Sequence, residues 1–204
     1  MDSFFIISLF ESLPLWVMLL PILACSILLT AIFLERFFFY RKINFDYQTL
    51  AEKAKVALEK DQNFRKDFIA NNFLKSNPLS LMIKNILLKW DLSSDKESLI
   101  RGIASESIAK IEKYAGTVST IATVSPMFGL LGTVTGMMRS FSGLAEYGPA
   151  VQTQLAQGIT EALITTALGL MVAIPALIFY NYLVAKANFY IKEIEYLANI
   201  FDKS

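Results

Sequence analysis

The chain has 204 residues, of which 54% are hydrophobic, and its 19 basic and 18 acidic side chains leave a net charge of +1. It contains no histidine and one cysteine, so metal sites of the His/Cys type, a Ser-His-Asp triad and an internal disulfide are excluded. Acidic residues interleave with the basic ones, which leaves no single-sign face for nucleic acid, and the sequence has no phosphate-loop or dinucleotide motif that would indicate an enzyme or a cofactor.

The placement of charge along the chain is more informative than its total. Three windows carry no charged side chain: Ser12 to Leu34, Ala115 to Met138, and Ala162 to Ala185. Each is longer than the ~20 residues that cross a ~30 Å hydrocarbon layer, so we predict transmembrane helices at 12–34, 115–138 and 162–185. The first window lacks a basic leader and a small-residue cleavage site, which favours a retained span over a cleaved signal peptide.

Basic residues predict the orientation of these spans. Fifteen of the 19 lie between the first and second windows, three follow the third window, and Arg139 is the remaining one. By the positive-inside rule the amino terminus lies outside, and the segments 35–113 and 186–204 are cytoplasmic. The segment 139–161 is then a short periplasmic loop, too small to hold a folded external domain.

The cytoplasmic segment 35–113 has the pattern of a small helical bundle. Asp46 to Lys75 mixes charged and apolar residues at helical spacing, Asn77-Pro78 interrupts it, and Leu79 to Trp90 resumes an amphipathic run. We therefore predict at least two helices in this part of the chain.

A helix start is predicted just before the second window. Ser94 followed by Glu97 is typical of a capping box, and no helix breaker follows. We predict one continuous helix from about Asp95 to about Arg139, ~65 Å long at 1.5 Å per residue. The third span should likewise continue as an amphipathic cytoplasmic tail through Tyr190, Ile194, Leu197, Ala198 and Phe201. Long helices with apolar stripes outside the membrane favour oligomerisation.

Small residues recur on one strip of each of the last two spans. In the second span they are Ser119, Ala122, Thr123, Gly129, Gly132, Thr133 and Gly136, and in the third they are Ala162, Thr166, Gly169, Ala173 and Ala176. Such strips let helix backbones approach closely in lipid, or leave a narrow lumen between helices. Plain helix packing and a pore are both consistent with the pattern. Pro126 and Pro175 free backbone carbonyls inside the spans, where neighbours, hydroxyls or water must satisfy them.

Polar residues within or beside the spans are the candidate functional groups. The hydroxyls of Thr133 and Thr166 need partners in hydrocarbon, which indicates that their helices pack inside an assembly. Glu161 is the only carboxylate at the edge of a span, one turn before Thr165, and it is either a functional acid or an interfacial Glu in headgroup water. The windows contain no Asp, Lys or Arg. If protons cross here, a partner chain has to supply the acid in the middle of the membrane.

These segments resemble the ExbB/TolQ family of proton-driven envelope motors. The resemblance covers nearly the whole chain and is carried by four motifs: Ser125-Pro126, Gly129-Leu130-Leu131-Gly132-Thr133-Val134, Gly158-Ile159-Thr160-Glu161-Ala162-Leu163 and Thr166-Ala167-Leu168-Gly169-Leu170. The three-span layout is similar to ExbB and TolQ rather than to the MotA type, which usually has four spans.

The resemblance implies an all-α protein of the bacterial inner membrane, with three transmembrane helices and long cytoplasmic helical extensions. It implies a homopentamer whose second and third helices line a central pore. In that pore an ExbD- or TolR-like single-span partner carries the intramembrane aspartate. Glu161, Thr133 and Thr166 match the family's pore-lining polar positions, and the Thr165-Thr166 doublet leaves open which hydroxyl faces the lumen.

The function expected from the resemblance is a subunit that converts proton entry into motion of its partner. That motion would energise outer-membrane transport through a TonB-like protein. A TolQ-like role, with a TolA-like protein in envelope constriction, is the alternative within the family. A passive membrane scaffold without ion flux is the alternative outside it, and the polar residues on the strips argue against a scaffold.

Overall fold

The structure is a computed structural model that describes residues 15–43, 47–72, 78–142 and 149–202. Within these ranges the chain is helical and contains no strand. In chain order the helices are α1 (Leu15–Lys42), α2 (Tyr47–Leu58), α3 (Gln62–Asn72), α4 (Pro78–Lys89), α5 (Lys96–Glu112), α6 (Ala115–Ser142) and α7 (Pro149–Asp202), with a 3-10 turn at Trp90–Leu92 between α4 and α5.

Three stretches are long and apolar enough to cross a membrane: Leu19–Arg41, Lys96–Phe141 and Leu155–Asp202. Each contains all or most of one uncharged window. The described helices separate into two compact units. We call them the span unit, Met1–Phe33 with Gly116–Asn181, and the bundle unit, Leu34–Ala115 with Tyr182–Ser204.

The bundle unit is held together by an aliphatic core. α4 packs against α5 and against α2. It contributes Leu79, Met82, Ile83 and Ile86, all fully buried, and α2 presents fully buried alanines at residues 51, 54 and 57. Apolar residues three and four apart form one face of a helix, so this amphipathic pattern explains why the segment folds as a bundle. The predicted helix over 46–75 is in fact two helices, α2 and α3, separated at residues 59–61.

The start of α5 differs from the prediction by one residue. Asp95 is the N-cap, and its side chain accepts a hydrogen bond from the Ser98 backbone N–H at 3.1 Å. An aspartate satisfies an orphan N–H in the same way as the predicted Ser94, and its negative charge also suits the positive end of the helix dipole.

The predicted continuous helix from Asp95 to Arg139 is wrong at Lys113–Tyr114. α5 ends at Glu112, and Tyr114 has a φ of 72°, in the left-handed region that ends helices. The last carbonyls of α5, which have no acceptor role within the ended helix, receive side-chain donors from α1. Arg36 Nη1 donates to Lys110 O at 3.1 Å and Tyr40 Oη donates to Ile111 O at 3.1 Å.

α7 confirms the predicted helical continuation of the last span, since it runs to Asp202. Its buried positions in the bundle unit include Tyr190, Ile194, Leu197 and Phe201. The segment 139–161 was predicted as a short loop. In the structure, helix covers residues 139–142 and 149–161 of it. Residues 143–148 of the predicted loop, which include Gly143 and Gly148, lie outside the described residues.

Candidate functional site in the packed helix pair

The centre of the span unit is a close contact between α6 and α7. A Cβ added at Gly129 would lie 3.0 Å from the Thr166 Cα, and one added at Gly169 would lie 2.6 Å from the Ser125 carbonyl oxygen. A Cβ at Gly136 would lie 2.8 Å from the Ala162 Cβ. Only glycine leaves room for these backbones to approach so closely. The structure therefore puts the small-residue strips of the two spans against each other within one chain.

Thr165 fills the centre of this contact. Its side chain is fully buried and would overlap a side chain placed at Gly132. Its hydroxyl donates to Ala162 O at 2.7 Å and lies 3.4 Å from Gly129 O. The buried strip of α7 thus runs through Ala162, Thr165, Gly169, Ala173 and Ala176, and the half-buried Gly158 extends it. Thr165 occupies the strip position that the sequence pattern assigned to Thr166.

Thr166 and Thr133 lie at the edge of the same contact, and both are half-buried. The Thr166 hydroxyl donates across the helix pair to Gly129 O at 3.0 Å, and the Thr133 hydroxyl donates to Leu130 O at 2.7 Å. Their acceptors are consecutive carbonyls of α6. We call Thr133 and Thr166 the hydroxyl pair, because one helical turn of α6 receives both hydroxyls.

Glu161 lies apart from the hydroxyl pair. It is half-buried, and its carboxylate accepts a hydrogen bond from Gln157 Nε2 at 3.2 Å. At 100° per residue, Glu161 is about 140° around α7 from Thr166 but only about 40° from Thr165. The geometry therefore does not bring together the three polar residues that the resemblance groups in one pathway.

Sequence reasoning missed two contributors to the packed pair, Ser125 and Ser140. Ser125 is fully buried and its hydroxyl donates to Ile121 O at 2.7 Å, while the hydroxyl of Ser140 donates to Gly136 O and would overlap any side chain at Gly158. Their spacing from Gly129 and Gly136, four residues in each case, was a usable signal. Of the other packing candidates, Ala173 is buried, Pro126 is half-buried and Pro175 is exposed.

The fold and this contact define a class of protein: a helical membrane protein whose second and third long apolar helices pack through glycines and carry hydroxyls at their seam. Residues 74–196, more than half of the chain, match the MotA/TolQ/ExbB proton channel family. The chain belongs to this family.

Individual relatives carry both ExbB and TolQ names. The chain is 32% identical over 193 residues to the putative biopolymer transport protein ExbB-like 1 of Synechocystis, an alignment that covers 90% of this chain and 72% of the relative. It is 33% identical over 159 residues to the Tol-Pal system protein TolQ of Haemophilus influenzae, covering 76% of this chain and 65% of that protein. It is 41% identical over 101 residues to TolQ of Pseudomonas aeruginosa, covering 46% of this chain and 44% of that protein. The matched part of this chain thus spans less than two thirds of either TolQ protein.

Proposed function

We propose that the chain is a proton-channel subunit of the inner membrane that converts the proton-motive force into motion of a partner protein. The partner is an ExbD-like single-span protein with an intramembrane aspartate, and a TonB-like transducer carries the motion to the outer membrane. Family membership supports the proton-channel role. The assembly we propose is a homopentamer in the lipid bilayer, with the amino terminus periplasmic and the carboxy terminus cytoplasmic.

The observation that carries this proposal is the hydroxyl pair. Thr133 and Thr166 are polar and half-buried, and their hydroxyls bond to consecutive carbonyls of α6, on two spans whose uncharged windows contain no Asp, Lys or Arg. A hydroxyl that bonds across a helix contact can serve packing alone, but a proton pathway also needs polar groups that can meet an acid, and half-buried hydroxyls are able to do so. Because this chain's windows lack an acid, the proton carrier has to come from the partner.

Thr165 and Glu161 have different proposed roles. We assign Thr165 to positioning, since its buried hydroxyl and methyl group hold α7 against Gly129 and Gly132. We assign Glu161 to the outer end of the pathway, where a half-buried carboxylate beside Gln157 can attract protons and water.

A TolQ-like role in a Tol-Pal envelope system is the second candidate function. It is favoured by the Haemophilus influenzae relative, whose alignment covers 76% of this chain. Expression of this chain with its partner in cells that lack ExbB, and separately in cells that lack TolQ, would distinguish the two by the defect that is repaired.

The proposal is tested by the double change Thr133→Val and Thr166→Val. Valine keeps the shape of threonine but removes the hydroxyl, so assembly should be retained while proton-motive-force-dependent activity falls by about tenfold or more, as expected for hydrogen bonds lost in a low-dielectric site. Activity is measured as repair of the envelope defect in cells, with protein abundance checked by immunoblot.

Thr135→Val is the matched control. Thr135 also donates to carbonyls of its own helix, Leu131 O at 3.0 Å and Gly132 O at 3.1 Å, but it lies about 160° around α6 from Thr133. The control should keep wild-type activity. Wild-type activity in the double variant, at normal abundance, would show that the hydroxyl pair serves helix packing alone.

A further inference from the structure

The chain between α5 and α6 adopts a turn that its own residues do not favour. Lys113 has φ −48° and ψ 132°, and Tyr114 has φ 72°. These angles fit a type II turn, whose second central position is usually glycine because a positive φ strains any residue with a side chain. An aromatic residue at a positive φ is uncommon, whereas in an α-helix it costs little. The turn therefore depends on contacts from elsewhere in the chain.

Arg36 of α1 makes two such contacts with one side chain. Its Nη1 donates to Lys110 O at 3.1 Å, and its guanidinium carbon lies 5.0 Å from the centre of the Tyr114 ring. A cation this close to an aromatic ring is attracted to it. All of these residues belong to the bundle unit. Arg36 thus contacts both the last turn of α5 and the residue with the positive φ.

The carbonyl that Arg36 occupies is one that a continuous helix would use. In an α-helix each N–H bonds to the carbonyl four residues back, so the N–H of Tyr114 would bond to Lys110 O. The bond that closes a type II turn joins its first and fourth residues, here 112 and 115, and makes no use of the Tyr114 N–H. Arg36 therefore gives Lys110 O the donor that Tyr114 would give it in a continuous helix.

The burial of Arg36 is not explained by stability alone. Its side chain is 1% exposed, its Nε has no hydrogen-bond acceptor among the described residues, and its ion pair with Glu35 is long, at 4.0 Å. A buried charge without full pairing is costly, and an apolar side chain of similar volume in its place is often neutral or stabilising. The conformation that Arg36 selects explains its position better than the stability that it adds.

From these contacts we infer that Arg36 breaks a helix to which it does not belong, and that the junction at Lys113–Tyr114 has two states. In the first state, Arg36 holds Lys110 O and Tyr114 stays in the turn. In the second state, Arg36 has withdrawn, Tyr114 bonds to Lys110 O, and α5 continues into the first turn of α6. Local sequence favours the second state, since residues 112–115 contain neither glycine nor proline.

The consequence is a conformational device in which one side chain of α1 sets where a long helix ends. Tyr40 donates to the next carbonyl, Ile111 O, but Arg36 is the residue that also lies against the Tyr114 ring. Loss of the Tyr40 hydroxyl therefore frays an end that Arg36 still keeps broken. The device is independent of proton transfer, so its test does not depend on the proposed function.

The test is amide hydrogen exchange at residue 114, resolved to the single residue and expressed as a protection factor, on the full chain in lipid nanodiscs. Arg36→Met removes the donor and the charge but keeps an unbranched side chain. We expect protection at residue 114 to rise about fivefold or more, because the Tyr114 N–H gains Lys110 O as its acceptor. The melting temperature should stay near the wild-type value, since a partly paired buried charge is removed.

Arg41→Met is the matched control. Arg41 is exposed on the same helix, and its guanidinium lies 5.6 Å from the centre of the Phe37 ring. Its replacement should leave protection at residue 114 unchanged. Tyr114→Gly added to Arg36→Met should return this protection to the wild-type level, because glycine adopts a positive φ without strain and disfavours the helix.

Unchanged or lower protection at residue 114 in Arg36→Met, at wild-type helix content, would overturn the inference, because Arg36 would then only cap α5. Equal protection in Arg36→Met with and without Tyr114→Gly would overturn it as well. If Arg36→Met does not fold, Tyr114→Ala decides in its place. Alanine favours the helix and lacks the ring that Arg36 contacts, so protection should rise, and unchanged protection would reject the two-state junction.

Discussion

At the scale of single residues, Gly169 is where the helix pair has least room. A Cβ there would lie 2.6 Å from Ser125 O and 3.2 Å from the Gly129 Cα, and neither backbone atom can rotate away. We expect Gly169→Ala to separate α6 from α7 and to lower stability by about 1–3 kcal/mol. Thermal unfolding of the purified protein in mild detergent measures the change.

Gly102→Ala is the control for this prediction. Gly102 lies inside α5 with open space around it, so an added methyl group meets nothing within 4 Å. Alanine should even favour the helix there, by up to about 1 kcal/mol. Equal melting temperatures for the two variants would show that the packed pair does not depend on Gly169.

The sequence predicted which residue types form this contact, but not which helices meet or which threonine is buried. The spacing of Gly129, Gly132 and Gly169 indicates close helix packing, but it cannot name the neighbouring helix, which the structure finds within the same chain. It also could not separate Thr165 from Thr166. Adjacent residues differ by 100° around a helix, and which of them is buried depends on the position of the neighbouring helix.

At the scale of elements, the C-terminus of α5 is held by donors from another helix. Arg36 is almost completely buried, with its guanidinium 4.6 Å from the centre of the Phe39 ring, and Tyr40 stacks on Tyr190 at 5.9 Å. We expect Tyr40→Phe to keep this stacking but lose the bond to Ile111 O, lowering stability by about 1 kcal/mol. The expected signature is faster hydrogen exchange in the last turn of α5 together with a lower melting temperature.

Tyr196→Phe removes the same hydroxyl from a position that is 51% exposed in one protomer, keeps the aromatic ring, and serves as the control. It should leave both measurements at wild-type values. Protection of the α5 amides that is the same in Tyr40→Phe and the wild type would mean that the tyrosine hydroxyl does not hold this helix end.

The break at Lys113–Tyr114 shows why this element could not be predicted from local sequence. Neither residue is glycine or proline, the residues that normally end a helix. The positive charge of Arg36 and the Tyr40 hydroxyl meet carbonyls at the negative end of α5, and these contacts are between residues more than 70 positions apart. Helical periodicity carries no information on such contacts, whereas it did predict that the last helix continues to Phe201.

At the scale of the whole molecule, orientation in the membrane is tested by chemical labelling. Fifteen basic residues precede the second window and three follow the third, which leaves Arg139 alone on the opposite side. In a background with Cys25→Ala, Gly148→Cys should react with an impermeant thiol reagent added outside intact cells. Asn63→Cys should react only after the membrane is opened. The reverse pattern would invert the orientation and the proposed direction of proton entry.

Oligomer formation is the last prediction, and the exposed aromatic residues of α7 support it. Tyr182, Phe189 and Tyr196 are 44%, 54% and 51% exposed in one protomer. Residues seven apart lie on one helix face, and such a row of aromatics is typical of a surface that packs against another helix. We expect the chain to form one defined multimer in mild detergent, a pentamer by our proposal, as measured by native mass spectrometry.

Phe189→Ser should shift the protein toward smaller species, because each buried Phe contributes about 1.5–3 kcal/mol. Leu92→Ser, at a position that is 84% exposed on the 3-10 turn, should leave the mass unchanged. A monodisperse monomer of the wild type would contradict the prediction. The aromatic face of α7 would then have no second protomer to pack against.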